Sequence, residues 1–134
     1  MLQQQEYRTV SALQSNDLRE ALLGLHHAVI EHERRAYEKM NGRQSGAGFL
    51  QVLAYDAAYQ WLSPLGQLIV TLDEGLDESN PAIVRTVGER ARVLVRRELD
   101  PAQPFSLRYV PLIDLSPEIA LAHAKVLTAL RRLA

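Results

Sequence analysis

Three of the four histidines in this 134-residue sequence fall within seven positions, in the run Leu25-His26-His27-Ala28-Val29-Ile30-Glu31-His32-Glu33-Arg34-Arg35. Imidazoles and carboxylates at helical spacing can ligate a metal, move a proton, or satisfy one another as a buried hydrogen-bonded cluster. On a helix, His26, Ile30, Glu33 and Tyr37 line one edge of the apolar stripe begun by Leu18, Leu22 and Leu25, while His27 and Glu31 point away. A carboxylate that close to a core needs a partner or must become neutral. Near the other end of the chain, His123 shares a helix face with Ile119, Val126 and Leu130, and Asp73 flanks the stripe Leu65, Leu68, Ile69, Leu72, Leu76. His26, Glu33, Asp73 and His123 are therefore the candidate metal or ligand site, with Tyr37 and Trp61 in support. A divalent iron, zinc or manganese would be the occupant.

The metal templates fit poorly. Di-iron carboxylate bundles take two Glu-x-x-His pairs, and the chain has none. A hemerythrin-like centre needs more histidines, spread over more helices. A hydrogen-bonded polar cluster that fixes helix register is the favoured reading, and no cofactor is expected. Nucleophilic catalysis has still less to stand on. There is no cysteine and no Gly-x-Ser-x-Gly elbow, and Ser63 and Ser116 read as helix caps. Gly46-Ala47-Gly48 could hold an anion on backbone N–H groups, but the dinucleotide and P-loop patterns are absent. An enzyme is not the expectation.

The charges point the same way. The formal net charge is −1, so nothing global draws the chain to nucleic acid or to an anionic membrane. Arg85, Arg92 and Arg96 share one face, with Arg90 and Arg97 at its flank, yet Glu89 sits among them at pairing distance and no aromatics interleave to stack bases. A solvated face is expected there and nucleic acid is disfavoured. Asp73, Glu74, Asp77 and Glu78 gather at a helix C-terminal end, where negative charge opposes the macrodipole and calls for a partner. No apolar run reaches membrane-spanning length and the first residues lack a signal-peptide core, so a cytoplasmic protein is expected. Thirteen arginines against two lysines suggest GC-rich coding and a bacterial origin.

The elements that must position these groups are helical. Residues 1–15 are polar and glutamine-rich and are expected to fray, leaving 16–134 as one domain. Asp17-x-x-Glu20 resembles a capping box opening a helix to about Met40, with Leu18, Leu22, Leu25, Val29, Ala36 and Met40 inward and Asn41-Gly42 as its stop. A second helix is expected over 49–62, burying Val52, Leu53 and Ala57. Ser63-Pro64, Asn80-Pro81 and Ser116-Pro117 each set a cap before a proline, predicting helices over 64–77, 81–99 and 117–133, with a break or kink at Ser63. The prolines at 101 and 104 predict a long apolar loop over 100–115 that packs on the bundle or forms an interface. The fold class is thus all-α: an antiparallel four-helix bundle with a proline-kinked or broken second helix and a long apolar loop before the last helix.

The motifs Leu25-His26, Glu33-Arg34, Tyr37-Glu38, Trp61-Leu62-Ser63-Pro64-Leu65, Leu68-Ile69-Val70, Asp73-Glu74 and Ala122-His123 resemble those of a family of small bacterial proteins, over most of residues 18–130. That resemblance implies a helical domain of this size with no established activity. It groups His26, Glu33, Trp61, Pro64, Asp73 and His123 as one constellation. The function expected is association with another protein, as a homodimer, through Tyr55, Tyr59, Phe105 and Tyr109. The alternative is a metal- or small-ligand-binding bundle.

Overall fold

The computed structural model describes the backbone of residues 2–133 and the side chains of residues 12–133; Met1, Ala134 and the remaining N-terminal side chains lie outside the described residues. The described residues are all-helical, with no strand among them. They form α1 (Leu2–Asn41), α2 (Gly46–Tyr55), a 3-10 segment (Ala57–Leu62), α3 (Ser63–Asp77), α4 (Pro81–Leu94), α5 (Pro104–Leu115) and α6 (Pro117–Leu133). The contacts close into a ring: α1 packs on α3 and α6, and α4 packs on the other side of both. Helix α5 lies against α6 and the 3-10 segment. Inside the ring sit Leu18, Leu22, Leu25, Val29, Leu65, Leu72, Val87, Ala91, Ile119 and Val126, all without solvent exposure. Burying a side chain of this class contributes about 1.5–3 kcal/mol, which is why short helices of ordinary propensity persist here.

The caps follow local chemistry. The Asn80 side chain accepts from the N–H groups of Ala82 and Ile83, and the Ser116 hydroxyl accepts from Ile119 N–H. Between α3 and α4, Ser79 takes a positive φ of 50°, and the Asn80 N–H reaches back to the Gly75 carbonyl at 2.8 Å. Glycine at 75 permits the close crossing of α3 and α4, since a Cβ there would stand 2.7 Å from the Ile83 methyl.

Several expectations are corrected. Residues 100–115 are not a long loop: from Pro104 the chain is helical, with Phe105, Tyr109, Leu112 and Ile113 buried at i, i+4, i+7 and i+8. Pro111 is tolerated inside α5 because it lies on the exposed face, where the carbonyl that loses its donor is open to water. Helix α4 stops at Leu94 rather than at 99. Val95 turns into the core and is fully buried, and the Ser106 hydroxyl gathers the following backbone by accepting from Asp100 N–H. The second helix breaks first at Asp56, whose carboxylate caps Ala58 N–H, and the 3-10 segment gives way to α-helix at Ser63. Ser63 is helical (φ −52°, ψ −43°) and caps nothing. Burial of Trp61, Leu62 and Leu65 on either side outweighs the preference of a pre-proline residue for extended backbone.

In α2 the buried residue is Phe49, while Val52 and Leu53 are half-buried and Ala57 is exposed. Helix α1 runs through Asp17 and Glu20 instead of starting there, its backbone helical from Leu2. Asp17 instead pairs with Arg132 at 3.6 Å. Ala36 and Met40 are exposed because α1 outruns the helices that cover its earlier turns. Periodicity marks the inward phase but not where the cover ends.

Candidate functional site

The four candidate ligands do not converge. His26 is half-buried on α1 beside Gly66 of α3, where a Cβ would lie 3.9 Å from its Nε2. Burial holds its imidazole below the ordinary 6.5, and neighbouring His27 adds to the shift. Asp73 is engaged across the α1–α3 contact by Arg19. Glu33 continues the buried stripe after Val29 and is 7% exposed. Among the described residues its carboxylate has no hydrogen-bond or ion-pair partner, and no group of three or more histidines and acids there could hold a metal.

Around Glu33 the side chains are aromatic. Tyr37, Phe49 and Tyr59 form a closed triangle with ring centroids 5.7, 6.5 and 6.0 Å apart, which fastens α2 and the 3-10 segment to the end of α1. Burial raises the Tyr59 phenol above its ordinary range, and the Glu33 carboxylate pushes it in the same direction. The rings pack on one another in tilted and edge-on contacts.

A second aromatic series leads to His123. Trp61 meets Phe105 at 5.7 Å, Phe105 stacks on Tyr109 at 4.9 Å, and Tyr109 meets the His123 ring at 5.7 Å. The Arg108 guanidinium covers the Trp61 ring at 5.6 Å, and Trp61 Nε1 is buried with no partner among the described residues. The Tyr109 hydroxyl and His123 Nδ1 are 2.7 Å apart. Tyr109 is fully buried, and burial drives its phenol far above the ordinary range, so it stays protonated at all physiological pH. The phenol proton needs an acceptor and Nδ1 supplies one, which leaves the imidazole proton on Nε2. Burial and then the positive charge of Arg97 hold His123 below its ordinary value, so it is neutral at pH 7.

His123 lines a cleft of about 510 Å³ between α4, the turn after it, α5 and α6. Four arginines surround it: Arg92, Arg96 and Arg97 on one side and Arg131 on the other, with no carboxylate in the lining. Arg92 donates to the Leu130 carbonyl at 2.6 Å, and Arg97 is held by Asp114. Arg96 and Arg131 have no ion-pair partner among the described residues. Arg92 and Arg96 were expected to share a solvated face with Arg85, neutralised by Glu89. Arg85, Arg92 and Arg96 are exposed, as a solvated face requires, but Glu89 makes no such pair among the described residues, and Arg92 and Arg96 also meet Arg131 from α6 at the cleft. That meeting depends on the α4–α6 packing and on the chain turning at Val95, neither of which the sequence shows.

The expected interface residues also divide. Phe105 and Tyr109 are inside the chain's own core and are not available to a partner, a consequence of residues 104–115 being helical. Tyr59 is half-buried, and Tyr55 is 86% exposed. Leu50 on α2 and Met40 near the end of α1, not expected at an interface, are 65% and 84% exposed. The signal that could have found them is that α2, Gly-Ala-Gly-Phe-Leu-Gln-Val-Leu-Ala-Tyr, carries no charge. The chain matches no family model, no curated protein and no solved structure with which it was compared.

Proposed function

We propose that the protein works by association, pairing with a second copy of itself through the face made by α2 and the end of α1. The observation that carries this reading is a ten-residue surface helix without a charged side chain, held to its own chain by buried Phe49 and half-buried Val52 and Leu53. A helix at a water-facing surface ordinarily carries charge on its outer side, whereas the centre of an interface is depleted of charge and enriched in tyrosine and methionine. Tyr55, Leu50 and Met40 supply that composition, and the Tyr37–Phe49 contact joins the two helices that carry them. The supporting scaffold is read as an antiparallel four-helix bundle, α1, α3, α4 and α6, with α5 added at one end. The ring of helix contacts and the short turn between α3 and α4 favour it. The cysteine-free, arginine-rich composition suits a bacterial cytoplasmic protein.

The test is the oligomeric state by light scattering at micromolar concentration, for the native chain and for Leu50→Glu with Tyr55→Glu. A native dimer that becomes a helical monomer on substitution supports the reading. A native monomer, or a dimer that ignores both substitutions, overturns it. The alternative, a ligand inside the bundle, narrows to His123. His26, Glu33 and Asp73 face different neighbours, and among the described residues they gather into no metal site.

A further inference from the structure

We infer that the cleft roofed by Arg92, Arg96, Arg97 and Arg131 binds a small organic phosphate, with the phosphoryl group on the guanidiniums and on His123 Nε2–H and an apolar body on the floor. Three observations carry this, and none depends on the α2 face.

The first is charge. Four arginines line one cleft, and among the described residues only Arg97 of the four has a carboxylate partner, Asp114, which is outside the lining. Like charges brought together without counter-charge repel, and a bound dianion removes that repulsion. Each guanidinium also offers a donor fork matched to phosphate oxygens. The second is the imidazole. Tyr109 fixes the tautomer from below, so that Nε2 is a donor, and His123 lines the cleft while being 94% buried. A buried, oriented, neutral donor beneath cations recognises an anion and repels a metal ion. The third is the floor. Ile113, Leu127, Ala120 and Ala124 line the rest of the cleft, and its volume lies in the range of small-molecule sites and exceeds what inorganic phosphate alone would fill. Two of the arginines are already held in place, Arg92 by the Leu130 carbonyl and Arg97 by Asp114, so part of the ordering entropy is spent before a ligand arrives.

The experiment is calorimetric titration of the full chain with phenyl phosphate, inorganic phosphate, benzoate and a short single-stranded oligonucleotide, each at two salt concentrations. The same titrations are made on Arg96→Ala and Arg131→Ala, both exposed positions whose substitution leaves the core intact. Phenyl phosphate is expected to bind more tightly than inorganic phosphate or benzoate, and each substitution to weaken it about tenfold, the loss of one charge-assisted hydrogen bond. His123→Gln, with helicity checked, is expected to weaken it as well. Absence of binding by every small probe at millimolar concentration overturns the inference, as does binding that both arginine substitutions leave unchanged. Inorganic phosphate matching phenyl phosphate overturns the role of the floor. An oligonucleotide that outcompetes phenyl phosphate, with a steep salt slope, overturns the small-ligand assignment in favour of nucleic acid.

Discussion

Replacing Tyr109 by phenylalanine tests the link between α5 and α6 at a single atom. The tyrosine ring is fully buried, stacked on Phe105 at 4.9 Å and set beside His123, and phenylalanine keeps both contacts. Only the hydroxyl is lost, and with it the 2.7 Å bond to His123 Nδ1. The net worth of such a bond is about 1 kcal/mol, and the nitrogen left buried without a donor costs about 1–3 kcal/mol more. The expected destabilisation is therefore about 2–4 kcal/mol, or roughly a 10 °C fall in Tm for a chain of this length. Urea denaturation followed by circular dichroism measures it, with an unchanged slope showing that the unfolded state is unaffected. Changing His123→Leu as well removes the orphaned nitrogen, so the double substitution should cost clearly less than the two single losses summed. A loss below about 0.5 kcal/mol for Tyr109→Phe, or additivity within about 0.5 kcal/mol, refutes the buried, coupled pair.

Three further outcomes are expected. Gly75→Ala drives a Cβ to within 2.7 Å of the Ile83 methyl and should destabilise by about 1–3 kcal/mol, measured by thermal melting; an unchanged Tm would mean that α3 and α4 cross farther apart. Glu33→Met replaces the carboxylate of a residue that is 7% exposed and makes no hydrogen bond or ion pair among the described residues. It should raise stability by about 1 kcal/mol in urea, whereas a loss would show that the carboxylate is held by something. His26 and His123 both have folded-state values lowered by burial, so below about pH 6.5 the unfolded chain binds more protons than the folded one. Stability is full above that pH and declines as pH falls through it toward the folded values. A melting temperature that rises on acidification across that window contradicts both assignments.

What the sequence made legible was local. Asn80 and Ser116 act as caps because a cap needs only the next three residues, and Leu18, Leu22, Leu25 and Val29 face inward because phase is set within one helix. Helix α5 was hidden by its own prolines. Pro104 starts it and Pro111 rides its exposed face, but in sequence the pair reads as a loop. The candidate site depends on more than one helix. Glu33 and His123 do lie inside, as their spacing implies, yet whether they meet is decided by which helices are neighbours. Asp73 turns to Arg19, 54 residues away in sequence, and His123 to Tyr109. The arginine cleft is legible on one side only, as Arg92 and Arg96, because its other side comes from α6.

Asp56 separates two pieces of chain that differ in how firmly they are held. On its far side, Trp61 and Leu62 are anchored in the core. On its near side, α2 gives up the Phe49 ring and the half-buried Val52 and Leu53 if it detaches, at a cost of about 3–5 kcal/mol plus its cap, below that of unfolding the whole domain. Backbone amides of α2 should therefore exchange with solvent by a local excursion, orders of magnitude faster than those of α3 or α6. A protease would cut there first, between 43 and 56, without the rest of the molecule melting. A partner that covers α2 would abolish both behaviours at once, so the exchange rate of this one helix is a gauge of whether its outer face is occupied.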